Sequence, residues 1–116
     1  MVNNLRLTKQ QKNKIIDIAI PLQTKYFGMC TCLMYAIKEY CNIDKEDPNK
    51  NEIARDILHK KFPRFNRENF LKFVEKNYPE NVGDVVLCRN TKDPFWIAIN
   101  ENVNHIRCDY LKSLKQ

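Results

Sequence analysis

"VGDVVLCRNTKDPFWIAI", residues 82–99, decides the fold class of this 116-residue chain. Its two ends are rich in β-branched and aromatic side chains: Val82, Val85 and Val86 on one side, Phe95, Trp96, Ile97 and Ile99 on the other. Such residues suit strands, and the "NTKDP" between them (90–94) is turn chemistry. The stretch therefore reads as an antiparallel hairpin, 82–89 against 95–99. Two strands alone are marginal in water, so this hairpin must be covered, with Trp96 as its core anchor.

The cover lies upstream. From Gly28 to Cys41 nearly every position is apolar, leaving Thr31, Lys38 and Glu39 as the polar exceptions. A helix apolar on every face is surrounded by protein, which makes this one the centre of the fold. Before it, Thr8 and Gln11 form a capping-box pattern for a helix that Pro21 ends. After it, Asp47-Pro48 opens a third helix with the stripe Ile53, Ala54, Ile57 and Leu58. Asn66 caps a fourth, and Pro79 ends it. Downstream of the hairpin, Ile106, Tyr110, Leu111 and Leu114 fit a last helix capped by Asn104, although "HIRCDY" (105–110) also reads as a third strand. The prediction is a single domain, residues 1–116, of α+β class: mainly helical, with a buried central helix and a short C-terminal antiparallel hairpin.

Composition narrows the function. The chain carries +6 net charge, and only Gly28 and Gly83 are glycines, which leaves no material for a glycine-rich phosphate loop. No window approaches the ~20 apolar residues of a membrane span. The first fourteen residues hold no apolar stretch of signal-peptide type, so a cytoplasmic location is expected. Five cysteines (Cys30, Cys32, Cys41, Cys88, Cys108) fit reduced thiols. Only Cys30 and Cys32 are close in sequence, with His59, Cys88, His105 and Cys108 scattered, and zinc wants paired ligands on both sides. Asp44, Glu46 and Asp47 share an EF-hand's acidity without its glycine or closing glutamate. No metal and no cofactor are expected.

"YFGMCTCLMYA" (26–36) raises a sharper possibility. A thiol at a helix N-terminus is activated by unpaired amides and the helix dipole, and Gly28 would let the chain turn sharply into that helix. The stretch resembles the nucleophile segment of CHAP domains, the cysteine- and histidine-dependent amidohydrolases of phage and bacterial wall hydrolases. "VGDVVLC" (82–88) and "FWIAIN" (95–100) resemble the two strands that follow in that family. The resemblance implies Cys30 as nucleophile. The family's general base begins the second of those strands, where this chain has Trp96, and indole accepts no proton. His105 is the remaining candidate base. Against this stands a core-helix reading, since Cys30, Leu33, Met34, Ile37 and Cys41 also form a stripe at helical spacing. A second likeness, through Gly28, Cys30, Trp96, Arg107, Leu111 and Leu114, resembles small bacteriophage accessory proteins and implies a phage-encoded origin.

Charge is unevenly spread. Residues 1–25 and 55–76 each carry a net +4, whereas 38–52 carry −2. Within the second basic segment, "HKKFPRFNREN" (59–69) interleaves Lys60, Lys61, Arg64 and Arg67 with Phe62 and Phe65, a mixture that nucleic-acid binders use. The same pattern describes phenylalanines packed inward beneath solvated cations, favoured because no nucleic-acid motif surrounds it. The sequence thus points to a non-enzymatic accessory protein that binds or inhibits a host protein or nucleic-acid complex through a basic surface, with those four cations as candidate contacts. A cysteine hydrolase built on Cys30 and His105 is the alternative, and a virion component a third class.

Overall fold

The structure is a computed structural model that describes residues 6–23, 25, 28–87 and 93–115, with the side chains of Leu87 and Trp96 excepted. Cys88 and the residues 90–92 of the expected turn lie outside the described residues. Among the described residues six α-helices follow one another: α1 (Lys9–Gln23), α2 (Met29–Tyr40), α3 (Lys50–Lys61), α4 (Arg67–Asn77), α5 (Val82–Leu87) and α6 (Pro94–Ser113), with a 3₁₀ turn at Pro79–Asn81. No strand occurs among the described residues, so the class is all-α and the α+β expectation is corrected.

The correction has a local cause. The Asp93 side chain accepts the Phe95 amide (2.9 Å) and Pro94 takes the first helical position, so the supposed hairpin turn ends in a helix cap. "FWIAIN" supplies the opening turns of the 20-residue α6. There Asn100, Val103, Ile106, Arg107, Tyr110, Leu111 and Leu114 are buried at three- and four-residue spacing. A long helix propagates through short β-favouring runs because each added residue gains a hydrogen bond once the helix is nucleated. "VGDVVL" forms α5 behind the 3₁₀ turn and buries Val85. Asn104 caps nothing; it lies inside α6 and accepts a hydrogen bond from Gln23 (3.1 Å).

Other starts and stops follow their signals more closely. Thr8 and Gln11 make the reciprocal capping box, at 2.8 and 3.1 Å. Asn66 accepts the Asn69 amide at 2.8 Å and caps α4. Helix α1 runs through Pro21 to Gln23, and α3 begins two residues after Pro48, because Asp47 accepts the Asn49 amide in a turn of its own. Helix α2 ends with Asn42 at φ 54, where the Ile43 amide reaches the Lys38 carbonyl (3.0 Å). That is a Schellman stop with asparagine in the left-handed seat.

Helix α1 joins the packing, lying against both α2 and α6, while α2 carries α3 on its other side. The core runs through Ile15, Ile16 and Ala19 of α1, Leu33, Ala36 and Ile37 of α2, and Leu58, Val74, Ile106 and Leu111. Helix α2 is not enclosed on every face: Cys30 and Tyr35 are exposed. A polar seam crosses the interior. Beside the Gln23–Asn104 bond between α1 and α6, buried Arg107 donates to Asn100 at 2.9 Å. No described helix is long and apolar enough to cross a membrane.

Candidate binding cleft and the thiol sites

Cys30 and its candidate base His105 stand on different helices, α2 and α6. Cys30 is exposed in the first turn of α2, with its Sγ 3.9 Å from Met34 Sδ. His105 is exposed on α6 and stands edge-on to Tyr78, ring centroids 5.5 Å apart, while Tyr78 donates to Asp109. No hydrogen bond joins the thiol to the imidazole. Gly28 has extended backbone dihedrals (φ −81°, ψ 117°) that any residue adopts, so no sharp glycine turn presents the thiol. The segments resembling the two later strands of the hydrolase family, 82–87 and 95–100, are helical. Cys32, two residues on, is fully buried, and that burial pushes its thiol up to about 11. His59 lies exposed in the last turn of α3. Among the described residues no three His, Cys, Asp or Glu side chains come together to hold a metal ion.

The basic segments do meet. The end of α3 and the turn after it (Lys61–Phe65), Lys12 from the first part of α1, and Leu114 at the end of α6 line one cleft of about 170 Å³. Among the described residues its walls carry three cations, Lys12, Lys61 and Arg64, and no acidic side chain; the apolar lining is Phe62, Pro63, Phe65 and Leu114. Sequence reasoning found Lys61 and Arg64 but not Lys12 or Leu114. The available signal was the equal charge of residues 1–25 and 55–76, and only the fold brings the two segments together.

The turn is firmly held. Tyr110 Oη donates to the Arg64 carbonyl at 2.7 Å, and Asn69 Nδ2 donates to the same oxygen at 3.1 Å. Arg64 Nη2 donates to the Leu114 carbonyl at 2.9 Å, so the guanidinium also answers the carbonyl end of α6. Phe62 is 6% exposed, and Phe65 stacks on Tyr110 at 6.2 Å. Both rings therefore pack inward, as the second reading of "HKKFPRFNREN" expected. Of the remaining cations, Lys60 pairs with Asp56 at 3.2 Å, while Arg67 opens α4 without an acidic partner among the described residues.

A larger groove of about 790 Å³ lies beside α2, lined by Leu22, Tyr35, Lys38, Glu39, Asn42, Ile43, Asp44, Lys45 and Lys50. Its charges are of both signs and partly satisfied locally: Lys38 sits over the Tyr35 ring (4.5 Å) and Lys50 donates to the Lys45 carbonyl (3.0 Å). The smaller cleft has charges of one sign among its described lining and a turn held by three hydrogen bonds, and is the better candidate despite its size. No protein family, curated protein or solved structure matches the chain, so geometry alone carries the functional reading.

Proposed function

We propose that this protein is a non-enzymatic binding protein that engages a polyanionic partner through the basic pole formed where the start of α1, the α3–α4 turn and the end of α6 converge. The observation that carries this reading is the placement of its cations. Lys60 and Lys61 in the last turn of α3, and Lys112 in the last turn of α6, complement helix carbonyl ends and have a structural explanation. Lys9 and Lys12 in the opening turns of α1, and Arg67 at the first position of α4, stand at helix N-termini, where positive charge is unfavourable. Their presence there is accounted for by an external anion, which the summed field of the pole would attract.

The test is retention on immobilised heparin in a salt gradient, comparing the parent with the Lys12→Glu/Lys61→Glu double variant. Neither residue belongs to the buried core, so the variant is expected to fold. The parent should be retained and then released by salt, with the variant eluting distinctly earlier. Elution of both at the same salt would remove this pole as the binding face.

A further inference from the structure

We infer that the cleft between Lys12, Lys61, Arg64 and Leu114 is an anchor pocket for one apolar side chain of an acidic protein segment. The inference rests on the binding function proposed above and narrows its partner from polyanions in general to an acidic protein. Three features favour that occupant over nucleic acid. At about 170 Å³ the cleft is smaller than the roughly 300 Å³ at which small-molecule pockets begin, a size suited to a single side chain. Its lining between the cations is apolar, and an apolar floor gives a phosphate nothing. The two rings that would offer stacking platforms to bases are otherwise engaged, Phe62 by burial and Phe65 by Tyr110.

The arrangement has the anatomy of a protein-binding hot spot: a largely apolar recess rimmed by charges that would orient the partner. The rim complements carboxylates flanking the inserted side chain, because no acidic residue among those described lines the cleft. The recess is also preorganised. The Arg64 carbonyl is fixed by Tyr110 and Asn69, and its guanidinium by Leu114, so little ordering remains for the partner to impose.

The experiment leaves the protein unaltered and varies the probe. Amide chemical shifts are followed while the whole protein is titrated with a short glutamate-rich peptide bearing one central leucine, then with the same peptide bearing alanine. A single-stranded oligonucleotide and its duplex are titrated in parallel. The leucine peptide should bind about tenfold more tightly than the alanine peptide, the worth of burying one such side chain. Its shifts should centre on Lys61–Phe65 and Leu114. Equal affinity for the two peptides, or tighter binding of either oligonucleotide at the cleft, would overturn the anchor pocket while leaving the basic pole as a binding face. Failure of every probe to bind, even at low salt, would overturn both.

Discussion

Burial pushes the Cys32 thiol up from its ordinary 9.0 to about 11; neighbouring Cys108 adds to the rise, and Arg107 partly opposes it. The folded protein therefore holds Cys32 neutral at a pH where the unfolded chain ionises it. The associated stability is complete below about pH 9 and is lost as pH climbs through about 11, an effect on the order of 3 kcal/mol. Burial raises Cys41, Cys108 and Tyr110 as well, so their contributions decline in the same direction. Urea midpoints measured from pH 7 to 11 should fall steeply above pH 9, and Cys32→Ala should flatten that fall even though it weakens the core. An equally steep slope in the variant would show that Cys32 is not the group responsible. The cysteines also mark where residue-level reading stopped. That this helix would bury a cysteine was legible, but which of Cys30 and Cys32 faced inward depended on the rotation of α2 against α1.

At the scale of elements, caps were more informative than propensities. Thr8–Gln11 and Asn66 were legible because each bond is made within three residues of its donor. Asp93-Pro94 carried the same kind of information, but it stood between two β-favouring runs and read as a turn. Propensity in short apolar runs is easily overridden by tertiary packing, and here the continuing stripe from Asn100 to Leu114 supplied the override. The cap can be tested directly. Asp93→Ala removes the acceptor for the Phe95 amide and should cost about 1 kcal/mol of stability. It should also increase hydrogen exchange at the amides of the first turn of α6 before those of residues 103–111 respond. Unchanged stability and exchange would mean that Asp93 contributes nothing to the helix start.

For the whole molecule, the candidate site was half legible. Lys60, Lys61, Arg64 and Arg67 stand close together in sequence, whereas Lys12 and Leu114 reach the cleft only because α1 packs on α6 and the α3–α4 turn closes on the end of α6. That assembly places opposing demands on the cations at the starts of α1 and α4. Lys9 and Arg67 raise the positive potential of the pole, yet each faces the positive end of its own helix dipole. Reversing them should separate the two roles. Lys9→Glu and Arg67→Glu should each stabilise the fold by about 0.3–1 kcal/mol, because a carboxylate at a helix N-terminus is favourable. Together they should weaken heparin retention, because the pole then carries two fewer cations and two added anions. Urea unfolding and salt-gradient elution on the same preparations check both halves. A double variant no more stable than the parent would refute the dipole argument. One that is more stable but equally retained would place the anion-binding face elsewhere on the molecule. A gain in stability accompanied by a loss of retention would show that binding, and not folding, accounts for the cations at these two helix starts.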